Sequence, residues 1–172
     1  MEQNMWEVSQ KVTLLFEKYS DTVKRICFMY MRNDADSDDI LQDVFLKLVQ
    51  HDKPFQSEEH EKAWLIRVAI NRCKNMHKSF WRKNTDPLDV ITTEGSTEIE
   101  TENNEMLKLV LSLPPKYKDV IYLFYYEGYT VPQMAKVLDK NENTIYSSLH
   151  RARALLKEKI EAIGGDVSEY LS

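Results

Sequence analysis

Glycine and proline are scarce in this chain, with four and five in 172 residues. So few glycines leave no Gly-rich loop to cradle nucleotide phosphates, and no HExxH or GxSxG motif is present. Cysteine is scarcer still. Cys27 and Cys73 lack CxxC spacing, which argues against a disulfide framework or a zinc site and for a reducing cytoplasm. No apolar run approaches the ~20 residues that a membrane-spanning helix needs. The opening stretch, "MEQNMWEVSQKVTLLFEKYS", alternates charged with apolar residues, unlike a signal peptide. His51, His60, His77 and His150 are scattered. The expectation is therefore no catalytic residues, no metal, no cofactor and no small-molecule substrate.

What is present is helical periodicity. Apolar content of 42% and charged content of 30% fit a globular protein, and few β-branched runs interrupt the chain. The fold class expected is all-α, as two small helical domains with an acidic linker between them. Residues 1–85 read as four helices. Val8, Val12, Leu15, Phe16 and Tyr19 form one stripe, and Val23, Ile26, Cys27 and Tyr30 form a second. A third helix is capped by Asp36 or Ser37, with Asp38 and Asp39 in its first turn. Its core face is Ile40, Leu41, Val44, Phe45, Leu48 and Val49. After the loop "HDKPFQSEEHEK", a fourth helix runs from near Ala63 to about Trp81, burying Leu65, Val68, Ala69, Cys73, Met76 and Phe80. Residues 86–104 read as a flexible linker, acidic and without helical period. Residues 105–163 read as a second helical domain, and 164–172 as a frayed tail.

Net charge is −5, but its distribution is uneven. From Lys62 to Lys83 there are seven Lys and Arg residues and no acid; from Asp86 to Glu105 there are seven acids and no Lys or Arg. On the fourth helix Arg67, Asn71, Lys74, Asn75, Lys78 and Arg82 line up. Cations neutralise phosphates and amides pair with base edges. Trp64 and Trp81 bracket that helix and Phe55 precedes it, and aromatic rings stack on unpaired bases. The third helix differs. Its exposed stripe is Asp39, Gln42, Asp43 and Leu46, an acidic face with an apolar neighbour, suited to a basic protein partner.

The second domain contains a helix-turn-helix. "LPPKYKDVIYLFYYEGY" is a helix with Pro115 in its first turn, Val120, Ile121, Phe124 and Tyr125 inward, and Gly128 at its end. Thr130 and Gln133 form a capping box for "VPQMAKVL", which buries Met134, Ala135 and Leu138. Asn141 caps the last helix. Ile145, Leu149, Ala152, Leu156 and Ile160 form its apolar stripe, while Asn143, Ser147, His150 and Arg151 face outward. The second helix of such a motif lies in the DNA major groove.

In this order the motifs resemble a bacterial RNA polymerase sigma factor of the extracytoplasmic-function group, within the sigma-70 family. The resemblance covers nearly all of the chain. "DSDDILQDVFLKL" looks like the segment that binds the clamp coiled coil of core polymerase, which assigns Asp39, Gln42 and Asp43 to that contact, with Leu46 beside them. "AWLIRVAINRCKN" looks like the helix that reads the minus-10 element, and assigns Asn71, Lys74, Asn75 and Lys78 to the non-template strand, alongside Trp64 and Arg67. Phe55, Gln56 and Ser57 occupy the position that captures a flipped base. The third segment looks like sigma-4, with Ser147, His150 and Arg151 at the base-reading positions for duplex minus-35 DNA. Asn143, Tyr146 and Arg153 complete that set. Family members often have Gly at the position of Asp139, yet Asp tolerates a left-handed turn. The resemblance implies a transcription initiation factor in the cytoplasm, not itself membrane-embedded. Its expected partners are core RNA polymerase, promoter DNA and an anti-sigma factor, which often holds such proteins at a membrane. A homodimeric helix-turn-helix regulator and a protein adaptor are the rival readings.

Overall fold

The structure, a computed structural model, describes residues 2–83 and 105–171. The chain divides into two compact units, Met1–Thr97 and Glu98–Ser172. The described residues are helical, with no strand among them. The expected linker, 86–104, lies outside them, as do the side chains of Phe80, Trp81 and Arg82.

The first unit packs α1 (Glu2–Met31), α2 (Asp34–Val49) and α3 (Glu58–Lys83) around one core. Three helices stand where four were expected. Ser20, Asp21 and Thr22 include no glycine or proline, and Tyr19 and Val23 are four residues apart, so the two stripes run on as one helix. Its buried positions are Leu15, Tyr19, Val23, Ile26, Cys27, Met29 and Tyr30. Val8 and Phe16, expected in the core, are exposed, although Phe16 touches the Phe45 ring at 4.8 Å between centroids.

The cap of α2 is Asn33 rather than Asp36 or Ser37. Asn33 Oδ1 accepts from the Asp36 backbone N–H at 2.8 Å, and Asp34 and Asp36 occupy the first turn. Ser37 is instead buried, its hydroxyl donating to the Asn33 carbonyl at 2.6 Å. Ile40, Leu41, Val44, Phe45 and Leu48 are buried as expected, but Val49 is 47% exposed, since it lies on the flank that continues toward Leu46.

Helix α3 begins at Glu58, five residues before the expected start. The Ser57 hydroxyl accepts from the His60 backbone N–H at 3.1 Å, and Glu58, Glu59 and Glu61 fill the first turn, where carboxylates suit the helix dipole. The buried side is Leu65, Ile66, Ala69, Ile70 and Cys73; Val68 and Met76 are only half-buried. Cys27 and Cys73 are both free thiols and meet across α1 and α3. A hydrogen bond with Cys27 and burial push the Cys73 thiol far up, which keeps it protonated and unreactive.

The second unit contains α4 (Glu105–Leu111), α5 (Pro115–Ile121), a π-helical turn at Tyr122–Tyr126, α6 (Val131–Leu138), α7 (Glu142–Ala162) and α8 (Val167–Leu171). The expected frayed tail is thus partly a short helix packed on α7, its start fixed by Asp166, which accepts from the Ser168 N–H at 2.9 Å. Gly128 adopts φ +67°, the left-handed conformation that ends the α5 segment. Phe124, Tyr125 and Leu138 are half-buried rather than inward.

Candidate polymerase and nucleic-acid surfaces

On α2 the structure brings Asp39, Gln42, Asp43 and Leu46 onto one face. Asp39 and Gln42 are exposed, and Leu46 is 59% exposed, unusual for a leucine within a packed helix. Asp43 is half-buried. Its carboxylate lies 3.9 Å from the Arg72 guanidinium of α3. The face therefore carries negative charge around an apolar side chain, the complement of a basic protein surface with an apolar pocket.

The loop between α2 and α3 is held by aromatic rings. Phe55 stacks on His51, with centroids 4.6 Å apart and planes at 12°. Trp64 meets His51 at 4.8 Å and Phe55 at 5.6 Å, and His60 meets Phe55 edge-on at 5.5 Å. Phe55 and Trp64 are therefore packed on each other and on two histidines, as the wall of the loop. Gln56 and Ser57 stay exposed at its rim, where the Gln56 N–H donates to His60 Nδ1 at 3.2 Å. The roles of His51 and His60 were missed in the sequence. Their spacing around Phe55 and Trp64 was visible, but only the loop's path makes the four rings converge.

The acidic start of α3 is also explained. Glu58 pairs with Lys18 of α1, and Tyr19 donates to Glu61 at 3.0 Å. The hydrogen bond to Glu58, with a second to Tyr19, pushes the Lys18 ammonium up to about 12, and the same pair holds the Glu58 carboxyl below its usual range. Lys18 is raised when folded, so its contribution is present below pH 10.5 and is lost as pH rises through about 12. Glu58 is lowered, so its contribution is present above pH 4.5 and is lost as pH falls through the depressed value. Glu58→Gln is expected to bring the Lys18 midpoint back toward 10.5, read from the lysine ε-methylene NMR shifts. An unmoved midpoint would show that the pair does not hold in solution.

Beyond that first turn α3 carries the expected stripe. Arg67, Asn71, Asn75 and Lys78 are exposed and Lys74 is half-buried. Four amide and ammonium groups on one face, with no acid between Lys62 and Lys83, make a surface for a polyanion.

The helix-turn-helix of the second unit is built from local bonds. The Thr130–Gln133 capping box is present, with the Thr130 N–H donating to Gln133 Oε1 at 2.9 Å. Asp139 takes the turn in the left-handed region, φ 52° and ψ 51°. Asn141 Oδ1 accepts from the Thr144 N–H at 2.8 Å and starts α7. Ile145, Leu149, Ala152, Leu156 and Ile160 are all buried. Opposite them Asn143, Ser147, His150 and Arg151 are exposed, and Tyr146 is 57% exposed. Arg153 is set apart from this group. Its Nε donates to the Tyr125 hydroxyl at 2.9 Å, and its guanidinium lies 4.8 Å from the Phe124 ring centroid. It braces α7 against the π-helical turn by a cation–π contact.

Two family models match the chain: Sigma-70 region 2 over residues 15–84, and Sigma-70, region 4 over residues 103–156. The sequence is 27% identical to the ECF RNA polymerase sigma-E factor of Haemophilus influenzae over 168 residues, covering 87% of each chain. It is 24% identical to the ECF RNA polymerase sigma factor SigW of Bacillus subtilis, covering 83% of this chain and 84% of that one. Among solved structures, the fold is similar to that of the sigma factor RpoE of Bartonella quintana, solved with the anti-sigma factor NepR. The TM-score is 0.66 at 19% identity, covering 90% of this chain and 97% of that one. CnrH, solved with the cytosolic domain of CnrY, gives 0.61 at 19% identity and 90% coverage of each. The two regions stand in order on one chain, each on its own helical unit, and the matches to the relatives extend over most of both chains. The protein is therefore a member of the sigma-70 family, an RNA polymerase sigma factor of the extracytoplasmic-function type.

Proposed function

We propose that this sigma factor docks on core RNA polymerase through Asp39, Gln42, Asp43 and Leu46, and reads promoter DNA with α3 and α7. The observation that carries the reading is the separation of three faces. An acidic and apolar face on α2, an acid-free basic face on α3 and the outward face of α7 differ in chemistry, which suits them to different partners. The anionic α2 face meets the basic clamp coiled coil. Arg67, Asn71, Lys74, Asn75 and Lys78 hold the non-template strand of the minus-10 element. The ring-braced loop presents Gln56 and Ser57 to a flipped base, and trapping that base offsets unstacking of a few kcal/mol and nucleates melting. Asn143, Tyr146, Ser147, His150 and Arg151 meet the minus-35 duplex, while Arg153 supports α7 from behind.

Neither DNA-binding unit needs high affinity alone. Docking on one polymerase gives each a high effective concentration at its element. The polymerase makes and breaks the bonds. The factor works in the cytoplasm, where the polymerase is. No described helix is long and apolar enough to cross a membrane. An anti-sigma factor is a further partner, as in the complex of the Bartonella quintana relative with NepR.

Arg151→Ala is expected to weaken minus-35 recognition by ~1–3 kcal/mol if its guanidinium pairs with a guanine. Run-off transcription with core polymerase, on templates with intact and scrambled minus-35 elements, measures this. The variant loses output on the intact template and little on the scrambled one. An equal loss on both would remove Arg151 from base reading.

A further inference from the structure

Arg72 is a basic residue of α3 that does not share the strand-binding face. At about 100° per residue, Arg67, Lys74 and Lys78 fall within about 40° of one another around the helix, and Arg72 lies about 140° from their centre. It sits instead on the side toward α2. Its Nη2 is 3.9 Å from Asp43 Oδ2, with the side chains 40% and 46% exposed. Its Nε is buried and has no hydrogen-bond partner among the described residues. The guanidinium thus emerges from the α2–α3 interface beside one carboxylate, with Nη2 at ion-pair distance and the buried Nε–H without a partner among the described residues. A guanidinium and a carboxylate match as a two-pronged fork. Closing this pair by about 1 Å would bring Nη2 to ordinary hydrogen-bond length from Asp43 Oδ2.

We propose that Arg72 is a positioning residue for the polymerase contact: it holds the Asp43 carboxylate in place from behind and does not contact DNA. The inference rests on the reading that Asp43 meets the polymerase. A solitary aspartate on an exposed helix face samples several rotamers, and fixing one on binding has an entropic cost. A planar, always-charged guanidinium fixes the rotamer before the polymerase arrives. Lysine, a flexible point charge, does this less well. Arg72 thereby links the helix that docks on polymerase to the helix that reads the strand.

The test is equilibrium binding of the full chain to core RNA polymerase for wild type, R72M, R72K, D43N and the R72M/D43N double variant. R72M keeps the apolar stem, and its thermal unfolding is checked alongside. R72M is expected to bind about five- to tenfold more weakly, R72K to recover part of the loss, and the double variant to be no weaker than D43N. Holoenzyme assembled at saturating R72M is expected to bind a single-stranded minus-10 oligonucleotide as wild type does, while R67A weakens it. The inference is overturned if R72M binds polymerase as tightly as wild type or more tightly, if the two single losses multiply, or if R72M lowers oligonucleotide affinity. If D43N itself leaves polymerase binding intact, the docking reading fails, and the inference with it.

Discussion

Asp43→Lys is expected to abolish capture of core RNA polymerase while leaving the fold almost unchanged. The two effects differ because the charge works in two environments. Within the protein, Asp43 is half-exposed and its ion pair with Arg72 is long, at 3.9 Å. Exposed pairs of this kind contribute ~0–1 kcal/mol, and placing a lysine beside Arg72 adds a repulsion of similar size. In the proposed contact with polymerase, the same carboxylate would be desolvated opposite a basic surface. Reversing its sign removes an attraction and leaves a cation buried against cations, a loss of ~2–5 kcal/mol or more. A pull-down of core polymerase with wild type and variant, beside circular-dichroism melts of both, measures the two together. A variant that melts like wild type and still captures polymerase would remove Asp43 from the docking face. A variant that fails to fold would contradict the surface placement of its side chain.

Leu156→Ala is expected to unfold the second unit selectively. Leu156 is fully buried in the stripe of α7, the helix that packs against α4, α5, α6 and α8. Truncating such a leucine costs ~2–5 kcal/mol, through lost transfer energy and the cavity left behind. A helical unit this small has a total stability of ~3–10 kcal/mol, so the substitution removes about half of it. The first unit has its own core around Val23, Ile26, Val44 and Ile66, and is expected to be untouched. Hydrogen exchange distinguishes the outcomes by element. Amides of α5 to α7 lose protection in the variant, and those of α1 to α3 keep it. Polymerase capture persists, because α2 is intact, while transcription that depends on the minus-35 element falls to background. Loss of protection in both units would show that their stabilities are coupled.

Much of the architecture was legible residue by residue. The capping box at Thr130 and Gln133, the Asn141 cap, the left-handed Asp139 and the α7 stripe all follow from bonds or periods spanning a few residues. The errors also have local causes. Tyr19 and Val23 look like members of two stripes because the polar Ser20, Asp21 and Thr22 stand between them, although nothing in Ser20–Thr22 breaks a helix. The start of α3 reads too late in the sequence because Glu58, Glu59 and Glu61 look like loop composition, whereas in a first turn they are favourable. Asn33 is masked as a cap in the sequence because four aspartates, Asp34, Asp36, Asp38 and Asp39, follow it and compete for the same role.

By itself the sequence determined the helical class, the order of the motifs and the chemical character of each face. Periodicity, capping and charge runs are properties of neighbours along the chain, and an amphipathic helix displays its polar side whatever it packs against. Only the tertiary structure decided which polar and aromatic groups are spent within the protein. Phe55 and Trp64 close on His51, Arg153 turns back onto Phe124 and Tyr125, Lys18 ties Glu58, and Arg72 reaches Asp43. Most of these partners lie far apart in the sequence. Long flexible side chains near a helix boundary have several reachable partners, and the packing of one helix on another selects among them.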